Sequence, residues 1–380
     1  MPPLTSVLLA SVLKPLDDTR MFGKFGRTLA SRPELTVHVA GRRAPRPDNA
    51  PANLHTHELL AGSRLSLGRL VAQWRYWRLL KTLKPRLVIV HAPELLPLTL
   101  LWRSLGPGRH FLYDVRENYA LNILTQQVYP GWLRRTLAGL VRRIETTAAR
   151  RAAQIILAER SYADELPFTT EEHTVILENK YQPQPGESVP TQARALPEPS
   201  EPLRLLYSGT ISKLNGVFEA IGFTQKLREQ WPAAHLTIIG FCQQPEVLAH
   251  LQAIVAADPG ITLIGGAELV PHARIVAEIQ RSHLGLLPYQ RHPSSARCMP
   301  TKLFEYLANG LPILTPPAAL WTEVVEAQQA GMIVRFRPPL ENSNFVERLR
   351  ARVFYPHGAS KDALWTSEAP KLWHIVDSLV

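Results

Sequence analysis

The stretch MPTKLFEYLANGLPIL, residues 299–314, brings an ammonium, a carboxylate and a side-chain amide into three consecutive helical turns. At a period of 3.6, Leu303, Phe304, Leu307 and Ala308 share one side, and Thr301, Glu305 and Asn309 recur at i, i+4 and i+8 on the other. Lys302 and Tyr306 adjoin that polar side. Pro300 suits the first helical position and Gly310 the residue after the last turn. The helix start then offers unpaired backbone N–H groups beside the Lys302 ammonium, a combination that suits an anion such as a diphosphate. Glu305, one turn further, can accept hydrogen bonds from sugar hydroxyls. A solvated surface helix also carries a Lys and a Glu, so these residues alone leave both readings open.

Four other stretches place polar groups where a strand gives way to a helix. SGTISKLNG, residues 208–216, allows close backbone approach at Gly209, with Thr210 and Lys213 in the same turn. A plain tight turn explains it equally well. KPLDDTRMFGKFG, residues 14–26, is the matching loop of the first half. There Asp17, Asp18 or Thr19 is expected to cap a helix starting near Arg20, and Gly23 and Gly26 weaken that helix. LYDVRENY offers Asp114 and Glu117 as a base or orienting group for an acceptor hydroxyl, or as cap and solvated surface. His91 and Glu94 end LVIVHAPE, where a histidine is either catalytic or a hydrogen-bonded structural residue.

Short apolar runs must position these loops. In the first half they are SVLLASVL, LTVHVAG, RLVIVHA, RHFLYDV, AQIILAE and TVILEN; in the second LRLLYSG, HLTIIG, ITLIGG, HLGLLPY, LPILT and GMIVRF. Continuous rather than alternating apolar runs, separated by amphipathic helices, predict doubly wound parallel sheets buried on both faces. The 380 residues, 45% hydrophobic, suffice for two such domains. Residues 182–202 carry six prolines and read as an extended linker. The expected organisation is residues 1–181, the linker, residues 203–345, and C-terminal helices over 346–380 packing back on the first domain. Two facing sheets would form a cleft, with ligands at the carboxyl ends of the strands.

Charge is uneven. The net charge is +11, and residues 1–200 hold 27 Lys/Arg against 17 Asp/Glu. In WLRRTLAGLVRRIETTAARRA, residues 132–152, Leu133, Leu137, Leu140, Val141, Ile144 and Ala148 form an expected packing stripe. Arg134, Arg135, Arg142, Arg143 and Arg150 lie mostly opposite. With residues 63–84 and their Trp74 and Trp77, this predicts a face toward an anionic membrane or a lipid diphosphate, against the simpler reading of a solvated basic surface. No run of eighteen apolar residues suggests a membrane span, SVLLASVL reads as a strand rather than a signal peptide, and two cysteines without ligand spacing suit a reducing, cytoplasmic setting. No metal site is expected. Nucleic acid is not the expected partner, because aromatics do not interleave with the charge as on a stacking platform. A nicotinamide dehydrogenase is not the expected reading, because no G-x-G-x-x-G follows an early strand.

PTKLFEYLANGLPIL, between HLGLLPYQRHPSSARCM and EVVEAQQAGMIVRF, resembles the donor-binding domain of glycosyltransferase family 4, the glycosyl transferases group 1. The likeness covers residues 204–336, including LYSGTISKLNGVFEAI and HLTIIGF with Gly240, and extends loosely to HAPELLP and YDVRENY. It implies a GT-B fold and a retaining, hexosyltransferase-type enzyme without cofactor. The implied donor is a nucleotide-diphospho-sugar whose ribose is held by Glu305. The implied acceptor is a saccharide or lipid-linked saccharide near Asp18, Arg20 and Gly23, in cell-surface polysaccharide or glycolipid synthesis. The sequence departs from the family at Arg297, where a second Glu is usual, and at Thr210 and Asn215, where Arg and Lys are usual. Neutralising the diphosphate then falls to Lys302, Lys213, Arg297 or Arg291. A sugar-nucleotide-binding protein without transfer activity, or a sugar-nucleotide epimerase of related fold, is the alternative.

Overall fold

The computed structural model describes residues 5–47, 49–62, 67–125, 130–184, 186–192, 195–290, 292, 297–337 and 344–380. Arg291 lies outside them. Packing divides the chain into two units, Met1–Gln182 with Trp365–Val380, and Pro183–Leu364.

The first unit holds seven parallel strands: β1 (Thr5–Pro15), β2 (Leu35–Arg42), β3 (Leu54–Leu60), β4 (Leu87–Val90), β5 (His110–Val115), β6 (Gln154–Leu157) and β7 (Thr174–Ile176). Their order is β3-β2-β1-β4-β5-β6-β7, with Val7 paired to Val37 on one side and Leu87 on the other. The order reverses between β1 and β4, where α/β sheets open a crevice for ligands. A wide helical turn, Thr19–Gly26, follows β1 and continues as α1 (Arg27–Ala30). The remaining helices are α2 (Gly68–Leu83), α3 (Leu96–Ser104), α4 (Tyr119–Thr125), α5 (Gly131–Ala149) and α6 (Tyr162–Glu165).

The β4 residues LVIV are fully buried, as a central strand covered on both faces should be. Strand β3, LHTHELL, is absent from the apolar runs read in the sequence. It lies at the sheet edge with its middle residues partly exposed, so it has no continuous apolar run. On α5 the buried side is Ala138, Glu145, Ala148 and Ala149, and Leu140 is exposed rather than packed.

The second unit holds six parallel strands: β8 (Leu203–Ser208), β9 (Ala234–Phe241), β10 (Ile261–Gly266), β11 (Leu284–Leu286), β12 (Ile313–Thr315) and β13 (Gly331–Ile333), ordered β10-β9-β8-β11-β12-β13. Its helices are α7 (Val217–Leu227), α8 (Pro245–Ala257), α9 (His272–Arg281), α10 (Thr301–Ala308), α11 (Ala319–Ala327) and α12 (Phe345–Arg350). The reversal falls between β8 and β11.

Two boundaries differ from the sequence reading. Among its described residues the proline-rich segment has no helix or ladder strand, yet it packs on the second unit. The Trp231 indole donates to the Glu201 carbonyl at 2.9 Å, and Arg350 pairs with Glu198 at 2.5 Å. Residues 346–364 also stay with the second unit, where the Tyr355 hydroxyl donates to the Leu311 carbonyl at 2.7 Å. Only from Trp365 onward does the chain join the first unit. There Trp365 and α13 (Ala369–Asp377) enter the core formed by β1, β2 and the Thr19–Gly26 turn.

Candidate functional site

In the second unit the polar residues gather where β8 and β11 diverge. Pro300, with φ of −69°, precedes α10 rather than forming its first turn, and Gly310 follows it at φ +60°. Thr301 is exposed at the helix start. Lys302 folds inward and is 7% exposed. Its Nζ lies 4.7 Å from the centre of the Tyr207 ring and 5.2 Å from that of Tyr289. Among the described residues Nζ has no hydrogen-bond or ion-pair partner, only these aromatic faces and the field of Glu305. Burial pushes its pKa down to about 8, against the pull of the Glu305 charge. A desolvated ammonium of this kind gains most from an anionic ligand.

Two glycines make room for it. Gly209 sits at φ +88°, and a β-carbon there would lie 2.5 Å from Lys302 Cε. Gly240, closing β9, would clash at 1.7 Å with the Gly209 carbonyl oxygen. The loop beyond is tied to itself: the Tyr207 hydroxyl and Asn215 Nδ2 both donate to the Thr210 carbonyl at 2.9 Å. Thr210, Lys213 and Arg297 are exposed. Glu305 is partly open, and His272 Nε2, on the first turn of α9, lies 3.1 Å from its Oε1. Asn309 does not join the open polar face. It is fully buried, takes a hydrogen bond from Gln280 at 3.2 Å and donates to the Glu305 carbonyl at 2.9 Å, so it ties α9 to α10. Tyr306 is buried too, its hydroxyl 2.9 Å from Ser208 Oγ.

In the first unit the sequence-predicted residues also converge, but most serve one another. Arg20 and Asp114 are fully buried, with Nη2–Oδ1 at 2.6 Å and Nε–Oδ2 at 2.9 Å. His91 Nδ1 is 2.6 Å from Asp114 Oδ2, and Arg20 Nη1 donates to the Leu177 carbonyl at 2.9 Å. Burial raises the Asp114 pKa, but Arg20 and His91 outweigh it and hold the carboxyl well below its usual range. Burial likewise keeps His91 neutral, against the opposing pull of Asp114. Asp114 and His91 are therefore walled in, a correction to the reading of either as a base at an acceptor hydroxyl. A base must reach its proton.

Glu117 and the Gly23 turn stay accessible, as do the exposed Asp17 and the partly exposed Glu94, which pairs with Arg69 at 3.1 Å. Glu117 accepts from Lys14 Nζ and from Asn122 Nδ2, each at 3.0 Å. Burial pushes its pKa up, but Lys14 and Arg116 hold it below the ordinary value. Asp18 caps the Thr19–Gly26 turn through the backbone N–H of Arg20 and Met21 and pairs with both Arg116 Nη atoms at 2.8 and 3.1 Å. A β-carbon at Gly23 would meet nothing within 4 Å, whereas one at Gly26 would lie 3.1 Å from the Met21 carbonyl oxygen. Gly26 is thus a packing glycine, and Gly23 borders open space.

Five partners were not singled out from the sequence: Tyr207, Tyr289, His272, Lys14 and Arg116. Lys14 and Arg116 sit inside strand-end stretches that were and Tyr207 directly precedes one, so position relative to the strand end was the available signal. His272 had only its place as the residue after Pro271 at a helix start.

Residues 202–351 match the family model of the glycosyl transferases group 1. No curated protein matches the chain. Among solved structures it is similar to sucrose-phosphate synthase from Thermosynechococcus elongatus, with a TM-score of 0.66 at 12% identity over 99% of each chain. It is also similar to Anabaena HepE in complex with UDP, TM-score 0.64 at 11% identity, covering 99% of this chain and 100% of that one. A third is AviGT4, a glycosyltransferase involved in avilamycin A biosynthesis, TM-score 0.60 at 14% identity over 99% and 98%. The fold is that of the GT-B glycosyltransferases, and the family match falls within the second unit. That unit is a glycosyl transferases group 1 domain.

Proposed function

We propose that the protein transfers a hexose from a nucleotide-diphospho-sugar, bound on the second unit, to a saccharide or lipid-linked saccharide. The observation that carries this is Lys302, a buried ammonium with no ion-pair partner among the described residues, at the start of α10 and one turn from the Glu305 carboxylate. The diphosphate lies at the helix start against Lys302 Nζ, and Glu305 accepts hydrogen bonds from the ribose hydroxyls. As the bond to the sugar breaks, negative charge grows on the leaving diphosphate. The helix N–H groups, Lys302 and the exposed Lys213 and Arg297 stabilise that charge, so transfer requires no metal. Gly209, Thr210 and Gly240 let the backbone come close.

Glu117, held ionised by Lys14, orients the acceptor beside Gly23. Asp114, His91 and Arg20 hold the loops that carry Asp18 and Glu117 in register. Retention of anomeric configuration follows from the family resemblance, as does a role in cell-surface polysaccharide or glycolipid synthesis on the inner face of the cytoplasmic membrane. The HepE complex with UDP supports a uridine nucleotide as the first donor to try.

The test is incubation with UDP-, GDP- and ADP-sugars and candidate glycan acceptors, with products read by mass spectrometry. A glycosylated acceptor plus free nucleoside diphosphate supports transfer. An isomerised sugar nucleotide, or binding without turnover, favours the epimerase or binding-protein alternative that Arg297, Thr210 and Asn215 leave standing.

A further inference from the structure

Large exposed apolar side chains are not scattered over this protein. Of the twelve among the described residues, nine lie between Leu67 and Leu140. On α2 only Ala72, Tyr76 and Leu80 are buried, about one residue per turn. Opposite them Leu67, Leu70, Val71 and Trp74 recur at i, i+3, i+4 and i+7, with exposures of 85, 71, 48 and 59%. The same stripe then turns cationic at Arg78 and Lys81, and the Arg78 guanidinium lies 5.6 Å from the Trp74 ring. On α5 the pattern repeats: Trp132 is 81% and Leu140 54% exposed, with exposed Arg135 and Arg143 along the same side. Helix α3 packs against both α2 and α5.

We propose that the outward faces of α2 and α5 form a membrane-docking surface, whose leucines and tryptophans enter the interface of an anionic bilayer while the flanking basic residues meet its headgroups. Residues 67–151 hold 15 Lys/Arg against 4 Asp/Glu, and two of those four acids, Asp114 and Glu145, are fully buried. The surface complement is therefore anionic. The core of a protein–protein interface keeps Trp and Arg but is depleted of Lys. Here Trp and Leu share each stripe with basic residues, Arg78 and Lys81 on α2 and Arg135 and Arg143 on α5, the composition of a helix lying in the membrane interface, where aromatic rings sit at headgroup level. Among the described residues no helix is long and apolar enough to cross a membrane, so the surface lies on the bilayer. It deepens the peripheral placement proposed above, rests on that part alone and adds an inserted apolar element to the charge attraction.

The full chain is sedimented with phosphatidylcholine vesicles, with and without phosphatidylglycerol, at low and high salt. Wild type is expected to favour the anionic vesicles at least tenfold. Leu70→Ser combined with Trp74→Ser should lose at least tenfold of that binding at equal lipid, with unchanged thermal melt and unchanged nucleotide affinity. Brominated lipid should quench tryptophan fluorescence of wild type more than of Trp74→Phe. If the double variant binds vesicles like wild type, attraction is by charge alone and the inserted surface is wrong, although peripheral placement survives. If no vesicle binds and the same variant dissolves a dimer seen in sedimentation, the face is a protein interface and the proposal falls. Sugar transfer is measured separately and bears on neither result.

Discussion

Lys302 lies across Gly209 so closely that a β-carbon at 209 would fall 2.5 Å from Lys302 Cε. The helix start and the loop after β8 are thereby fitted to each other, and the ammonium is delivered under the loop rather than into solvent. Gly209→Ala must displace Lys302 and strain a backbone at φ +88°. It should lower nucleoside diphosphate affinity by about tenfold, while cost in stability stays within the ~1–3 kcal/mol of a strained residue. Calorimetric titration and urea unfolding separate the two effects.

The depressed pKa of Lys302, about 8, makes donor binding pH-dependent. Burial disfavours the charged form of the free protein, and a bound diphosphate restores it. Affinity for a nucleoside diphosphate should therefore be fullest below pH 8 and fall as pH rises through it, since the ammonium must then be reprotonated. Lys302→Ala should remove that slope. An unchanged slope in the variant assigns the pH dependence elsewhere.

His272 and Glu305 come from different helices and meet at 3.1 Å. If the imidazole fixes the carboxylate for the ribose, His272→Ala should weaken binding of a ribonucleotide by about 0.5–1.5 kcal/mol, the net value of one hydrogen bond. Binding of the 2′,3′-dideoxy analogue should hardly change. Equal loss for both ligands would mean that His272 only supports the fold.

Asp114 and Glu117 lie three residues apart and should behave oppositely. Removing one member of a buried ion pair leaves its partner uncompensated, so Asp114→Ala should destabilise the first unit by about 3–5 kcal/mol. The Asp114 carboxyl is held low when folded, so its contribution is present above the unfolded pKa of ~3.9 and is lost as pH falls through the folded value. Chemical denaturation from about pH 5 downward to about pH 2 follows this loss. Glu117→Gln, at a partly exposed site, should leave stability within ~1 kcal/mol and lower turnover instead.

These pairings mark what the sequence conveys. Central strands such as LVIV are legible because burial on both faces demands an unbroken apolar run, whereas the edge strand LHTHELL has no such demand placed on it. The TKLFE pattern is legible as a polar helix face because i, i+4 spacing is local. That Asn309 leaves that face to join Gln280, or that Tyr207 and Tyr289 enclose Lys302, depends on contacts between distant segments, which no local period encodes. Asp114 and His91 carry the chemistry of a base, but Asp114 is taken up by Arg20 and His91 is buried against Asp114, and only packing reveals it.

Because helix N–H groups and Lys302 are assigned the diphosphate charge, transfer should survive excess EDTA at better than half its rate. Loss of activity on chelation, restored by Mg²⁺ or Mn²⁺, would assign that charge to a metal.

The central claim is that the start of α10 binds the diphosphate and Glu305 the ribose. Isothermal titration of wild type, Glu305→Gln and Lys302→Ala with a nucleoside diphosphate and with the bare nucleoside tests it most directly. A hydrogen bond to a charged group contributes ~1.5–3 kcal/mol, so Glu305→Gln should weaken both ligands by roughly ten- to a hundredfold. Lys302→Ala should weaken the diphosphate far more than the nucleoside. If both folded variants bind both ligands as wild type does, this helix is scaffold and the donor binds elsewhere.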